Sequence, residues 1–205
     1  MLEIREGKKT KYLNIRYPEK SIEEHKLFAQ KFAEWVHKRF FKNKGKLLDV
    51  GCGRGVYVDG FNSIGYEAIG IDKEQTRDDV VIVDLDKDKI PFPDNSFDYV
   101  LCKGVISTIN NTDNMLKEII RVLKPNGLIF MMTLDWENSY KNYYIDFTVK
   151  KPYTLESLRD ILTYYGFNVV EARKFQNIPY IWRYTTKAFD FVFPNPKNIF
   201  VIASV

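Results

Sequence analysis

A glycine-rich turn is the part of this sequence best suited to hold a ligand. The apolar run at 46–50 leads into Gly51, Gly53 and Gly55, and a helical pattern follows over 54–64. Glycine has no Cβ to keep a ligand away from the backbone, and it readily adopts positive φ. The first turn of a helix offers free N–H groups to polar or anionic groups. We therefore expect a ligand to lie against this turn.

Three successive apolar runs each carry an aspartate at or near the carboxyl end. Asp49 lies two residues before the first glycine, Asp72 follows the run at 66–71, and Asp84 follows the run at 80–83. Ligands of open parallel sheets bind beyond the carboxyl ends of the strands, where a carboxylate can accept two hydrogen bonds from a ribose diol. The spacing predicts one site for a nucleoside-like ligand.

Each of these features also has a purely structural interpretation. The glycines could form a tight strand–helix turn without a ligand, and Asp72 could be a surface turn residue. Asp84 could belong to an acidic loop with Asp86 and Asp88. The alignment of three aspartates with one glycine turn favours the binding site.

Apolar runs alternate with helical patterns along most of the chain. Strands are predicted at 46–50, 66–71, 80–83, 97–102, 128–133, 167–172 and 198–203, and helices at 54–64, 112–123 and 154–165. Such alternation favours a parallel sheet covered on both faces. No clear helical pattern separates the last two runs, so one of them is expected to be antiparallel. The predicted fold is a three-layer α/β/α sandwich with a seven-stranded, doubly wound, mostly parallel sheet.

The N-terminal segment differs from the rest of the chain in charge. Residues 1–46 have a net charge of +7, and residues 47–205 have a net charge of −3. A capping box at 21–24 predicts a helix that ends near 43–45. We therefore predict a basic arm and helix at 1–44, followed by a domain at 45–205. The basic segment is interpreted as a solvated face, with nucleic acid or a membrane surface as less favoured alternatives.

Composition excludes several classes of protein. The chain has 205 residues, of which 45% are hydrophobic and 28% charged, as in a globular domain. It lacks an apolar run of about 18 residues and an N-terminal signal core, so we expect a cytoplasmic protein. Cys52 and Cys102 are interpreted as packed side chains rather than nucleophiles. His25 and His37 are interpreted as residues on the surface of the N-terminal helix rather than catalytic bases.

The sequence around the turn, Asp-Val-Gly-Cys-Gly-Arg-Gly at 49–55, resembles the first motif of class I S-adenosylmethionine-dependent methyltransferases. The segments at 90–100, 116–127 and 153–170 resemble the branch that includes ubiquinone and menaquinone biosynthesis methyltransferases. The resemblance covers residues 45–174 and the final strand. It implies S-adenosylmethionine as cofactor and methyl transfer to an acceptor, for which a small molecule is favoured over protein or nucleic acid.

The resemblance also implies cofactor-binding residues on the methionine side of the site. Asp49 is expected near the amino group of the cofactor. Gly51, Cys52 and Gly53 are expected along its methionine part, and Lys103 is expected to line the pocket beside them.

Four further residues are implied on the nucleoside side. Asp72 is expected to bind the ribose hydroxyls, with Lys73 next to it, and Asp84 and Leu85 are expected to contact the adenine. The short connection at 73–79 departs from the family pattern, and we expect the helix usual between these strands to be shortened or lost.

The resemblance assigns no catalytic residue and no metal. Ser107 and Thr108 stand where the branch often has Glu-His, so no histidine role is implied there. A general base is needed only if the acceptor loses a proton. Two other functions are alternatives: a nicotinamide-dependent oxidoreductase, which the glycine spacing disfavours, and a non-catalytic methyltransferase-fold binding or partner protein.

Two aromatic segments stand out at 135–153 and 175–197, which hold 13 of the 31 aromatic residues. Both follow strands of the second half of the predicted sheet. We interpret them as insertions that form, with the N-terminal helix, a lid over the acceptor. A satellite core or a dimer interface is an equally favoured alternative. Substitution of Trp182 and Tyr184 by Ala would test the lid.

Overall fold

The fold is built on a seven-stranded sheet. A computed structural model describes Tyr12, Ile15, residues 22–175 and residues 197–205. The strands are β1 (Lys46–Val50), β2 (Glu67–Asp72), β3 (Val80–Ile82), β4 (Phe97–Lys103), β5 (Leu123–Leu134), β6 (Asn168–Phe175) and β7 (Asn198–Ser204). Their order is β3-β2-β1-β4-β5-β7-β6, and only β7 pairs antiparallel with its neighbours. The predicted doubly wound sheet with one antiparallel strand is confirmed.

Five α-helices connect these strands within the described residues. They are α1 (Ile22–Arg39), α2 (Val56–Ser63), α3 (Thr112–Val122), α4 (Trp136–Ser139) and α5 (Leu155–Tyr164), with short 3₁₀ turns at Ile106–Thr108 and Tyr143–Ile145. A capping box of Thr154 and Ser157 begins α5. None of the helices in this part of the chain has the length and apolar character needed to span a membrane.

Adjacent residues of the central strands point into two separate cores. In β1, Leu48 packs in the cluster that contains Met115 and Leu158, while Leu47 packs in the cluster that contains Phe32 and Phe61. Successive side chains of a strand point to opposite faces, so a strand that is apolar at both positions must be covered twice. Helices α3 and α5 therefore cover one face, and α1 and α2 cover the other.

Several element boundaries differ from the sequence-based prediction. Helix α1 ends at Arg39 rather than near 43–45, because the N–H groups of Phe40 and Phe41 both donate to the carbonyl oxygen of Val36 and close its last turn. Strand β6 extends to Phe175 rather than ending at 172.

Two further differences lie at α2 and β5. Helix α2 begins at Val56 rather than Arg54, because Gly55 adopts φ 71° and ends the turn. Strand β5 begins at Leu123, five residues before the predicted start, and its pairing with β4 shifts register between Phe97 and Tyr99. The Pro-Asn-Gly sequence at 125–127 therefore forms an irregularity within the strand rather than a turn outside it.

The apolar face of helix α1 packs against the sheet and against α2. Phe32 is fully buried and contacts the rings of Phe130 and Tyr57 edge to face, with centroids 5.4 and 5.3 Å apart. Trp35 stacks on Phe175 at 5.0 Å. These contacts fix the position of α1 against the sheet. The division of the chain into domains at residue 44 remains a prediction.

Gly60 allows α1 to approach α2 closely. A Cβ at Gly60 would lie 2.8 Å from the backbone carbon and oxygen of Ala29 and 3.1 Å from the backbone nitrogen of Gln30. A neighbour that is backbone cannot rotate away as a side chain can. The absence of a side chain at this position therefore sets the separation of the two helices.

We expect Gly60→Ala to lower the free energy of unfolding by about 1–3 kcal/mol, because the added methyl forces the helices apart. Replacement of a glycine by alanine within a helix ordinarily stabilises the helix by up to about 1 kcal/mol. The expected change in the free energy of unfolding is therefore opposite to the change that helix propensity alone predicts. Urea denaturation and hydrogen exchange in α1 measure the effect. A stabilised Gly60→Ala variant with unchanged exchange in α1 would contradict it.

The first aromatic segment, 135–153, is partly core and partly surface. Tyr143 and Tyr153 are buried, and Trp136 contacts Tyr143 edge to face at 5.2 Å. Tyr144 and Phe147 are 55% and 69% exposed. Tyr153 belongs to the core that contains Leu48 and Met115, and its N–H donates to the Tyr143 hydroxyl at 3.3 Å. The buried members therefore extend the main core, and the lid and dimer-interface interpretations of this segment remain predictions. Residues 176–196 of the second segment, with Trp182 and Tyr184, lie outside the described residues.

Candidate active site

The glycine turn lies between the ends of β1 and β2. The N–H groups of Gly51 and Cys52 both donate to the carbonyl oxygen of Ile71, at 2.8 and 3.0 Å. Gly51 has φ 72°, and a Cβ there would lie 2.2 Å from the Cγ2 atom of Val105. Glycine is therefore required at this position for both its conformation and the space it leaves.

Asp72 joins the end of β2 to the turn. Its Oδ2 atom accepts a hydrogen bond from the N–H of Gly53 at 2.9 Å, and its Oδ1 atom accepts one from the N–H of Glu74 at 3.0 Å. The hydroxyl of Thr76 donates to the carbonyl oxygen of Gly53 at 2.5 Å. Each carboxylate oxygen has a second lone pair, so Asp72 can still accept hydrogen bonds from a ligand.

A cavity of about 550 Å³ opens at this edge of the sheet. This volume is in the range of small-molecule and cofactor sites. All nine residues that the sequence assigns to cofactor binding line the cavity. The structure therefore brings them together, while the role of each in binding remains a prediction.

Asp49 is a buried carboxylate at the base of the cavity. Its side chain is 2% exposed, and its Oδ2 atom has no hydrogen-bond partner among the described residues. Burial raises the pKa of Asp49 from 3.8 to about 7; the positive charge of Lys103 opposes this rise, and the negative charge of Asp72 adds to it. A buried acceptor without a partner is unfavourable in the ligand-free protein and is well suited to bind a cation.

Lys103 is the last residue of β4, the strand that pairs with β1 and so lies next to Asp49 in the sheet. Its Nζ atom lies 4.7 Å from the centre of the Tyr57 ring, and both residues line the cavity. A lysine ammonium over an aromatic face is held by the ring quadrupole. Lys103 therefore supplies a fixed positive charge on the methionine side of the predicted site.

Asp84 also lines the cavity, and its carboxylate already has partners. Its Oδ1 atom accepts the N–H of Asp86 at 3.1 Å, and Lys87 lies 3.4 Å from Oδ2. Leu85 is buried and lines the cavity beside it. The predicted adenine contact and the acidic-loop interpretation are both compatible with this geometry.

The connection between β2 and β3 contains no helix. Arg77 holds it in place by ion pairs to Asp59 of α2 at 2.7 Å and to Asp79. The loss of the helix between these strands is as expected from the short spacing. It also brings Glu74 to the cavity, with a buried Oε2 atom that has no hydrogen-bond partner among the described residues.

The two cysteines are packed. Cys102 is fully buried in β4, and Cys52 lies under β2, where a Cβ on Gly70 would approach its Sγ to 2.6 Å. Burial is the main cause of the raised pKa of both thiols. Both therefore stay protonated at neutral pH, as expected for side chains that do not act as nucleophiles.

Thr148 and Lys150 of the first aromatic segment line the cavity, and neighbouring residues contact the N-terminal segment. Tyr12 donates to the carboxylate of Asp146 and contacts the ring of Phe147 edge to face at 5.9 Å. The carbonyl oxygen of Ser107 accepts the N–H of Lys150 at 2.8 Å. Tyr12, Thr148 and Lys150 line the cavity, so the N-terminal segment and the first aromatic segment both contribute to it.

Helix α1 also reaches the cavity, as the lid interpretation predicts for the N-terminal helix, but His25 and Phe28 were not among the predicted site residues. His25 and Phe28 line the cavity, whereas His37 lies elsewhere on the helix with its Nδ1 atom 2.8 Å from the Tyr66 hydroxyl. The helical pattern identified the apolar face of α1. It contained no information on which end of that face meets the glycine turn, because this depends on contacts between distant parts of the chain.

Comparison with known proteins agrees with this geometry. A family model described as a methyltransferase domain matches residues 24–172. The match includes most of α1, the whole glycine turn and all nine predicted cofactor residues.

Curated relatives and a solved structure are similar to this chain. A ubiquinone biosynthesis O-methyltransferase of Rhodopseudomonas palustris is 30% identical over 101 residues, which are 44% of this chain and 40% of that protein. A demethylmenaquinone methyltransferase of Staphylococcus saprophyticus is 30% identical over 144 residues, 60% of each chain. The chain thus covers less than two thirds of the length of either relative.

A crystal structure of an S-adenosylmethionine-dependent methyltransferase from Archaeoglobus fulgidus has a TM-score of 0.69 at 22% identity. It covers 91% of this chain and 100% of that one, which shows a shared fold. The family match, the sheet order and the position of the glycine turn agree. The chain belongs to the class I S-adenosylmethionine-dependent methyltransferase family.

Proposed function

We propose that this chain transfers a methyl group from S-adenosylmethionine to a small-molecule acceptor bound in the 550 Å³ cavity. The observation that carries the proposal is the Oδ2 atom of Asp49, which is buried next to the glycine turn and has no hydrogen-bond partner among the described residues. A carboxylate in this position needs a cationic or hydrogen-bond-donating ligand, and the amino group of the cofactor supplies both.

The remaining residues fit the other parts of the cofactor. Gly51 and Gly53 let the methionine part lie against the backbone, and Lys103 is placed to attract its carboxylate. Asp72 has lone pairs left for the ribose hydroxyls, and the unpartnered oxygen of Glu74 offers another acceptor nearby. The four predicted residues Cys52, Lys73, Asp84 and Leu85 complete the lining.

The bound cofactor supplies a methyl group that is already activated by the positive sulfonium. The task of the protein is then to align the acceptor atom with the methyl–sulfur bond and to exclude water. Positioning of this kind can supply about 7–11 kcal/mol of the barrier. Rigid placement of the cavity walls by the two cores supports such a role.

A small acceptor is supported by the size and the lining of the cavity. Side chains from the N-terminal segment, from α1 and from the first aromatic segment line it together with the glycine turn: Tyr12, His25, Phe28, Thr148 and Lys150. The names of the two curated relatives refer to ubiquinone biosynthesis and to demethylmenaquinone, which agrees with a small-molecule acceptor.

The first experiment is thermal unfolding with S-adenosylmethionine or S-adenosylhomocysteine, with NAD and NADP as controls. A ligand present at 100 times its dissociation constant is expected to stabilise the folded protein by about 2.7 kcal/mol and to raise the melting temperature. A rise in melting temperature with NAD or NADP, or no rise with any of the four ligands, would contradict the proposal. Binding without methyl transfer to any acceptor would favour the non-catalytic alternative.

A further inference from the structure

His25 lies on the same face of α1 as the residues that dock this helix. His25, Phe28 and Phe32 are spaced i, i+3 and i+7, which places them along one side of a helix. Phe32 is fully buried against Tyr57, while Phe28 and His25 line the cavity. His25, Phe28 and Phe32 therefore form a stripe along α1 that runs from the core to the cavity and ends in the imidazole of His25.

The position of this stripe is fixed from both sides. The backbone of Ala29, one residue after Phe28, lies against Gly60 with no room for a methyl group. Tyr57, which contacts Phe32 at 5.3 Å, is itself a lining residue and lies under the Lys103 ammonium. An imidazole held in this way belongs to the cavity wall.

The other ionisable groups of the cavity are less suited to accept a proton from an acceptor. Asp49, Asp72 and Glu74 lie at or beside the glycine turn, where the cofactor is proposed to bind. Asp84 accepts the N–H of Asp86 and pairs with Lys87, and Asp86 accepts the N–H groups of Asn110 and Asn111. Lys103 and Lys150 carry positive charge, and Lys150 lies 3.8 Å from the carboxylate of Asp86. Among the described residues that line the cavity, His25 is the only histidine.

We propose that His25 is the general base of the transfer and that the acceptor is a planar compound with an ionisable hydroxyl, a phenol or an enol. This inference rests on the proposed methyltransferase function. As the oxygen–methyl bond forms and the methyl–sulfur bond breaks, the sulfur keeps the bonding electron pair and the hydroxyl proton passes to the imidazole. The imidazolium then releases the proton to water.

The walls next to His25 fit such an acceptor. Phe28, Tyr57 and Tyr12 offer aromatic faces and edges to a flat ring. The positive charge of Lys150, which also lines the cavity, favours the oxyanion that develops as the hydroxyl loses its proton. An amine or thiol acceptor would not need this combination of a flat apolar wall, an imidazole and a nearby cation.

The test compares His25→Gln with His37→Gln, the same substitution on the same helix but beside Tyr66. The probes are catechol and 4-nitrocatechol, assayed at a pH between the pKa values of their hydroxyls. With catechol, His25→Gln is expected to lower kcat about 100-fold with little change in KM, the size of effect typical of general-base catalysis. With 4-nitrocatechol, which is already ionised, the loss is expected to be within a few-fold.

The His37→Gln variant is expected to match the wild type on both probes. Equal losses of kcat on the two probes in His25→Gln, or no loss on either, would overturn the base role. Transfer by the wild type to amine or thiol probes and to neither hydroxyl probe would overturn the acceptor class. The thermal shift with S-adenosylhomocysteine separates these results from failure of the proposed function, because all three proteins should bind it equally.

Discussion

Asp49→Asn is expected to weaken the binding of S-adenosylhomocysteine about 1000-fold and to stabilise the ligand-free protein at neutral pH. The first effect follows because the bound amino group would lose its buried carboxylate, and breaking a buried ion pair costs about 3–5 kcal/mol. The second effect follows because the carboxylate is buried without a partner for its Oδ2 atom among the described residues. A residue that destabilises the empty protein in this way is one whose partner is the ligand.

The pH dependence distinguishes the two effects. The pKa of Asp49 is raised from 3.8 to about 7, so between about pH 4 and pH 7 the folded protein holds a proton that the unfolded chain has released. The free energy of unfolding therefore falls as the pH rises through this window, by up to about 4 kcal/mol, and is constant above it. In Asp49→Asn this decrease is absent.

Binding changes in the opposite direction over the same window. Because the amino group of the cofactor is proposed to bind the ionised carboxylate, affinity in the wild type is expected to rise about tenfold per pH unit below about pH 7. Calorimetric titration with S-adenosylhomocysteine and urea denaturation across this range measure both slopes. A wild-type stability that does not fall between pH 4 and pH 7 would contradict the buried, unpartnered state of Asp49.

Asp98 provides a matched control in the neighbouring strand β4. Burial opposes its ionisation, but hydrogen bonds from Lys124 at 2.7 Å and from the N–H of Lys46 at 2.9 Å outweigh burial and lower its pKa. Asp98→Asn is therefore expected to destabilise the protein at neutral pH. Asp98 does not line the cavity, so its substitution is expected to leave the affinity for S-adenosylhomocysteine unchanged.

The sequence was sufficient to predict the sheet and the glycine turn because both depend on local patterns. Strand β1 is a continuous apolar run. The glycines at 51, 53 and 55 adopt positive φ, as their position directly after a strand predicts. Asp72 could be placed at the same edge because it ends the next strand. The lining of one cavity by all nine predicted residues follows from this shared edge.

The acceptor side of the cavity could not be predicted in the same way. Tyr12 and Asp146 are 134 residues apart in the chain, and no periodic pattern relates them. Glu74 enters the cavity only because the connection at 73–79 lacks a helix, and His25 does so only because Gly60 lets α1 approach α2. Each of these positions is decided by packing between elements rather than by the residues around it.

Asp72→Ala is the second substitution expected to have a large effect, about 1000-fold on the affinity for S-adenosylhomocysteine. Two charge-assisted hydrogen bonds to the ribose hydroxyls would be lost, at about 1.5–3 kcal/mol each. The N–H groups of Gly53 and Glu74 would also lose their acceptor, which is expected to lower the free energy of unfolding by about 1–3 kcal/mol. Calorimetric titration and urea denaturation measure the two losses.

Asp84→Ala is the appropriate comparison, because Asp84 also lines the cavity, two residues after β3, but already binds the N–H of Asp86 and the Lys87 ammonium. Its removal is expected to weaken binding only about tenfold, the loss of one hydrogen bond. An analogue of S-adenosylhomocysteine without the two ribose hydroxyls separates the roles of Asp72. If Asp72 binds the diol, Asp72→Ala and the wild type should bind this analogue with similar affinity. If Asp72 acts only by holding the glycine turn, the variant should bind both ligands equally less well, and the ribose contact would have to be assigned to another acceptor such as Glu74.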